Sequence, residues 1–216
     1  MGHGEGEAQV SNLTGSLRRW LPSLVSAEDL LPEELPEYTR SYVYLFGALT
    51  LGSFVCLVAS GLTLALFGPG WWHISAVGHF INSIHFWSVQ CLFFFMVLHL
   101  WAQFSMAAWR GGRGPTWVVG ALLFVSSIIA AFTGYLSQQN LDSQWIAVSG
   151  KDAMNAVGIG AFFNLLNFGQ MYSIHIAVVP LVIGGLIGVH LILVRRRGLV
   201  PPLADDAVAR GDGREG

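Results

Sequence analysis

The chain has 216 residues, 53% of them hydrophobic and only 11% charged, with a formal net charge of −2. So few charges cannot cover a soluble globule, and the composition is that of an integral membrane protein set in a lipid bilayer, with no nucleic-acid partner expected. Cys56 and Cys91, the two cysteines, fall in apolar stretches and outside any Cys-x-x-Cys-His context, which argues against a disulfide framework and against covalent haem attachment.

Residues 1–40 carry seven of the thirteen acidic side chains. The opening Met-Gly-His-Gly-Glu-Gly-Glu lacks the basic and apolar regions of a signal peptide, and residues 1–15 are expected to be a disordered tail. Within residues 16–40, Leu17, Trp20, Leu21, Leu24 and Val25 recur at helical spacing beside Arg18 and Arg19. That pattern suits an amphipathic helix on the membrane surface and equally a helix packed on the core. Asn12-Leu13-Thr14 matches a glycosylation sequon, but its expected cytoplasmic side makes this a chance match.

Four apolar stretches follow, at about residues 42–67, 77–109, 116–136 and 168–194, each close to the length that crosses a bilayer. None contains Asp, Glu, Lys or Arg. They make up a four-span domain at residues 41–197, followed by a tail at 198–216. Ten of the eleven basic residues fall on one side of the spans: Arg18, Arg19, Arg40, Arg110, Arg113, Arg195, Arg196, Arg197, Arg210 and Arg214. Only Lys151 falls on the other. The positive-inside rule then places both termini in the cytoplasm, across what is expected to be a bacterial plasma membrane. Trp71 and Trp72 are expected in an outer loop at interfacial depth. Residues 138–167, with Trp145, Ile146, Val157, Ile159, Phe162, Phe163 and Leu166, are expected to lie along the outer surface as short helices.

The second span carries His85 and His99, fourteen residues apart, and the fourth carries His175 and His190, fifteen apart. Fourteen helical steps return roughly to the same face about 21 Å further along, and fifteen reach a face displaced by about 60°, still compatible with the same neighbour. One histidine in an apolar helix is usually a hydrogen-bonded core residue. Four at matched spacing inside membrane spans are costly and point to function. The two spans enter from the same side, so His85 and His175 form an outer pair and His99 and His190 an inner pair. Each pair can supply both axial ligands of a haem iron. His3, His73 and His79 have no such partners and read as solvent or interfacial residues.

Glycines repeat the period. Gly47 and Gly61 in the first span are fourteen apart, as are Gly120 and Gly134 in the third. A haem between helices needs backbone to approach closely, and glycine leaves that space. One such pair reads as ordinary small-residue packing; two pairs on the histidine period favour the haem. Gly47 and Gly120 are expected at the inner depth, Gly61 and Gly134 at the outer.

These residues resemble cytochrome b of the quinol–cytochrome c reductases, in its shorter b6 type, over roughly residues 15–203. The resemblance rests on the histidine and glycine pairs and on Thr116-Trp117-Val118-Val119-Gly120 and Thr133-Gly134-Tyr135. It rests also on Ser173-Ile174-His175 continuing through Pro180 to His190. It implies an all-α, integral membrane four-helix bundle with two haems stacked across the bilayer and short surface helices. The cofactors implied are two non-covalent haem b, with quinone or quinol as substrate near both faces. Arg113 and Arg195 match basic positions of the family near the inner haem and inner quinone site, and also fit the positive-inside pattern alone.

The chain departs from the family at three places. Leu136-Ser137-Gln138-Gln139 stands where the family continues Leu-Pro-Trp, and Asn82 stands where an arginine pairs a haem propionate. Leu45 stands where the b6 type has a cysteine for an extra covalent haem. Leu35-Pro36-Glu37-Tyr38 looks like the family's quinol-oxidising Pro-Glu-Trp-Tyr but precedes the first span. That motif belongs to helices beyond the fourth, expected from a partner subunit.

The expected function is movement of electrons across the membrane between quinol and a redox partner. A Rieske protein and a subunit carrying the remaining cytochrome b helices would then be partners. The alternative is a dihaem anchor that couples an outer-side dehydrogenase or multihaem cytochrome to the quinone pool. A dimer is compatible with either, and a haem-free scaffold hardly fits the four ligands.

Overall fold

A computed structural model describes residues 37–201. The expected tail and amphipathic segment, and the C-terminal tail beyond residue 201, lie outside the described residues, as do His3, Arg210 and Arg214. The described residues are helical, without strands. A 3₁₀ turn, Glu37–Arg40, leads into α1, Tyr42–Phe67. Then come α2, Pro69–Ile74, α3, Ala76–Ser105, α4, Gly114–Leu136, and α5, Leu141–Ala156. The last span is α6, Phe168–Ser173, a π turn, Ile174–Val178, and α7, Val179–Arg197, in continuous succession.

Local chemistry sets the boundaries. Gly68, at φ 76°, ends α1 in a conformation that side chains disfavour, and Pro69 starts α2 at the position where its missing N–H costs nothing. Ser75 caps α3 by accepting the Gly78 N–H at 3.3 Å, and Asn140 caps α5 by accepting the Ser143 N–H at 2.8 Å. The second span stops at Ser105, four residues short of the expected end. Ala107 adopts φ 51°, and Gly111 and Gly112 follow with positive φ, so the apolar run turns instead of continuing.

Four helices, of 26, 30, 23 and 30 residues, are long and apolar enough to cross a membrane. Leu62, Leu66, Phe94, Val97, Leu122 and Leu181 stand exposed on their outer faces, which in water would be an aggregation surface and in lipid is ordinary contact. α1 packs along α3, and α4 along the α6–α7 span, while the two pairs touch each other little. Between them runs an elongated cavity of about 800 Å³, lined from all four spans.

Both ends of the cavity are closed by short segments. At one end Tyr44 Oη donates to the Val200 carbonyl at 2.6 Å, Arg113 Nε to Gly198 O at 3.4 Å, and the Arg197 guanidinium to Gly112 O. The start of α1 and the chain after α7 therefore meet at the same end. At the other end lie α2 and the surface helix α5, held down by Leu136, Ala147, Leu165 and the fully buried Met171. Of the surface helices expected over 138–167, α5 forms, and residues 157–167 are turns. Trp72 differs from the expected interfacial residue. It is 4% exposed, tucked over the cavity end by the α2 turn.

The π turn resolves the fifteen-residue step. Val179 N–H bonds to Ile174 O, one residue wider than an α-helix allows. Pro180 has no N–H to give, and its ring would crowd the carbonyl four residues back in a regular helix. The wider turn accommodates it and absorbs one extra residue. His175 and His190 are thereby returned to a shared face that a regular helix would miss by about 60°.

Candidate functional site

His85 and His99 from α3, His175 from the π turn and His190 from α7 all line the one cavity. They meet as expected from their spacing. The His85 and His175 rings face each other with centroids 6.3 Å apart and planes at 89°. His99 and His190 lie within electrostatic reach of each other. Two metal–imidazole bonds of about 2 Å each, plus about 1.2 Å from each nitrogen to its ring centre, sum to about 6.4 Å. The His85–His175 separation would therefore suit two rings that hold a single metal ion between them. Among the described residues no three His, Cys, Asp or Glu side chains cluster as a metal site. A metal held by such a pair would take its remaining ligands from a cofactor of its own, as a porphyrin supplies them. His73 and His79 are exposed and outside the cavity lining.

Hydrogen bonding orients the first pair. His85 Nδ1 lies 3.1 Å from the Leu57 carbonyl and 3.0 Å from Ser60 Oγ. A carbonyl only accepts, so Nδ1 carries the proton and Nε2 keeps its lone pair. Thr133 does the same for His175: its hydroxyl donates to Ile129 O or Ala130 O and its oxygen receives Nδ1–H at 3.2 Å. Such second contacts fix ring orientation and ligand basicity at metal centres. The other level is different. His99 Nδ1 and His190 Nδ1 are buried without a hydrogen bond of normal geometry, the acceptor nearest His190 being the Thr116 carbonyl.

Spacing gives no role to the Ser60 hydroxyl, nor to that of Thr133 beyond its place in Thr133-Gly134-Tyr135, although a signal was present. Each immediately precedes the glycine at its level, as Ser60-Gly61 and Thr133-Gly134. Phe46-Gly47 and Val119-Gly120 at the other level offer no hydroxyl.

The four glycines each back one ring. A Cβ on Gly61 would lie 3.0 Å from His85 Cε1, and on Gly134 2.6 Å from His175 Cε1. On Gly47 it would lie 3.1 Å from His99 Cε1, and on Gly120 3.3 Å from His190 Cε1. The close approach they permit is therefore that of the histidine ring itself. Gly52 on α1 and Gly184, Gly185 and Gly188 on α7 have open space at that position. Arg113 lines the cavity at the His99–His190 end, whereas Arg195 is exposed and outside the lining. Asn82 and Gln138, the sites of two departures from the family pattern, bond to each other reciprocally at 3.1 Å across α3 and the end of α4.

The lining suits a flat, largely apolar group with a metal at its centre. Paired ring nitrogens face each other, glycines leave room for the rings, and Phe54, Leu57, Phe86 and Val89 supply apolar wall.

Comparison with known proteins agrees. The model of the family described as cytochrome b(N-terminal)/b6/petB matches residues 90–212, which include His99, Gly120, Gly134, His175 and His190. Cytochrome b6 of Heliobacterium mobile is 27% identical over 199 residues, covering 82% of this chain and 93% of that protein. The menaquinol:cytochrome c reductase cytochrome b subunit of Geobacillus thermodenitrificans is 26% identical over 204 residues, covering 81% and 91%. A chain of a hyperthermophilic respiratory complex III shares the fold, with a TM-score of 0.67 and 21% identity over 84% of this chain. The chain spans about half, 55%, of the length of that solved chain. The protein belongs to the cytochrome b N-terminal/b6 family.

Proposed function

We propose that this chain is the dihaem subunit of a quinol-oxidising electron-transport complex, moving electrons across the membrane between quinol and a redox partner. The observation that carries the reading is the meeting of four histidines as two pairs across one cavity, each ring backed by a glycine. His85 and His175 would hold one b-type haem, and His99 and His190 the other. When bound, a haem supplies a one-electron carrier. The chain's own part is to present Nε2 by anchoring Nδ1 at Ser60, Leu57 and Thr133, and to keep water out with apolar walls. Two levels about 21 Å apart along the helices take up most of a hydrocarbon layer of about 30 Å. The arginine distribution supports the His85–His175 level as the outer one and both termini as cytoplasmic. The names of the relatives support a quinol as reductant and other membrane subunits as partners, with Arg113 at the inner end of the cavity and Arg195 beside it.

The second reading, an anchor linking an outer dehydrogenase or multihaem protein to the quinone pool, is favoured by the Asn82–Gln138 bridge, which stands where the family pattern has arginine and Leu-Pro-Trp. Co-purification separates the two: a Rieske protein supports the first and a dehydrogenase the second.

The stoichiometry test is a pyridine haemochrome assay with protein quantified in parallel. Two b haems per chain are expected, both extracted by acid acetone. One per chain, or haem surviving denaturing extraction, would falsify the reading.

A register test follows from the π turn. Deleting Ala177 together with Pro180→Ala leaves a regular helix with a fourteen-residue step, as in α3. Both haem absorbance components should persist in that variant. Loss of either would mean that the turn does more than reset the register.

A further inference from the structure

Hydrogen-bonding side chains gather about one helical turn beyond the His85–His175 level, all of them lining the cavity. Tyr172 precedes His175 by three residues and Asn82 precedes His85 by three, about 4.5 Å of helix rise in each case. Gln138 follows Gly134 by four, and Gly134 lies against the His175 ring. Trp72 closes the same end from α2, its ring tilted against Tyr172 with centroids 6.4 Å apart.

These groups are not all satisfied among themselves. The two amides bond to each other. Trp72 Nε1 and Tyr172 Oη are buried without a hydrogen-bond partner, and Trp72 is 4% exposed. A native fold rarely leaves two buried donors unpaired side by side. An indole N–H can only donate, so the group that meets it is an acceptor. Among the described residues no Lys or Arg side chain lines the cavity at this end. The one guanidinium in the lining, Arg113, belongs to the opposite end, where it bonds Gly198 O.

A b haem carries two carboxylates on one edge, and a carboxylate withdrawn from water needs donors. Between the histidine levels the lining is largely apolar: Thr50 and Ser127 donate to carbonyls of their own helices, and Gln90, an exposed residue, brings the one amide side chain there. We propose that Trp72 Nε1–H and Tyr172 Oη–H receive a carboxylate of the haem held by His85 and His175. They form a neutral clamp braced by the Asn82–Gln138 bridge. This rests on the haem reading above and adds the residues that fix which edge of the group faces the α2 end. Hydrogen bonds spread the carboxylate's charge. Without them the full negative charge stands near the iron and favours its oxidised, more positive state.

The test is a redox titration of the full-length chain and of its Trp72→Phe and Tyr172→Phe variants. Each is reconstituted once with haem b and once with its dimethyl ester, in which the carboxylates are neutral. With haem b, both variants should shift the His85–His175 potential downward and leave the His99–His190 potential in place, the latter also reporting that the bundle is intact. With the ester the shift should shrink. Unmoved potentials in both variants would overturn the clamp, as would a shift of the same size with the ester. Loss of affinity for a quinone analogue with no change in potential would also overturn it, assigning the donors to a quinone carbonyl instead. A chain that binds no haem at all fails the haem reading, which is a separate result.

Discussion

If each pair holds one haem, as proposed, His85→Ala or His175→Ala should remove the absorbance of the haem at their own level and leave most of that at the other, and His99→Ala or His190→Ala should do the converse. On the proposed reading each iron would have its two protein ligands within one pair, and the pairs are separated by about 21 Å of helix, four turns. The His85 and His175 rings stand 6.3 Å apart, so neither has another imidazole to take its place. Alanine deletes the ring, leaves a void lined by apolar side chains, and removes the partner that Ser60 or Thr133 now holds. A void of that kind costs about 2–5 kcal/mol on its own, and loss of the proposed metal bond would add to it. Reduced-minus-oxidised spectra of the four variants, with haem counted per chain, check the pairing. If His85→Ala and His99→Ala abolish the same component, the pairing by level is wrong.

Gly134→Ala should be nearly as damaging, though it touches no ligand atom covalently. Its Cβ would lie 2.6 Å from His175 Cε1 and 3.0 Å from Nε2, closer than real carbon contacts allow. Relief requires the ring to turn, and turning breaks the Thr133 bond that sets its orientation. Overpacking of this kind costs about 1–3 kcal/mol, and here the strain falls on the ring proposed to hold the iron. The other backing glycines form a graded series, with Gly61 and Gly47 next at 3.0 and 3.1 Å and Gly120 mildest at 3.3 Å. Gly52→Ala and Gly184→Ala meet nothing within 4 Å and should be neutral or stabilising by up to about 1 kcal/mol through helix propensity. Haem retention and thermal stability across the six variants measure the series. Equal behaviour of Gly134→Ala and Gly184→Ala would sink the steric account.

Much of this was legible in the chain before any coordinates. Four charge-free apolar runs make four spans, because a bilayer admits only backbone that satisfies itself. Steps of fourteen put Gly47 and Gly61, Gly120 and Gly134, and His85 and His99 on common faces. The directions of the spans then put Gly47 and Gly120 at the depth of one histidine pair and Gly61 and Gly134 at that of the other; which ring each glycine backs was decided by the packing. The hydroxyl–glycine pairs Ser60-Gly61 and Thr133-Gly134 were equally visible but had no assigned meaning. A hydroxyl in an apolar helix usually bonds its own carbonyl four residues back, and both of these do so as well.

By itself, the sequence determined what depends on one helix at a time: the number and length of spans, the periods of histidine and glycine, and the levels at which they fall. Only the tertiary structure decided how those helices are turned toward each other. It widened one turn before Pro180, so that a fifteen-residue step served as fourteen. It joined Asn82 to Gln138 across 56 residues, and bent α2 so that Trp72 left the interface for the cavity end. Composition and spacing fix a residue's depth and its angle about its own axis. Which atoms meet depends on the rotation and closeness of neighbouring helices, and those are set by packing summed over the whole bundle.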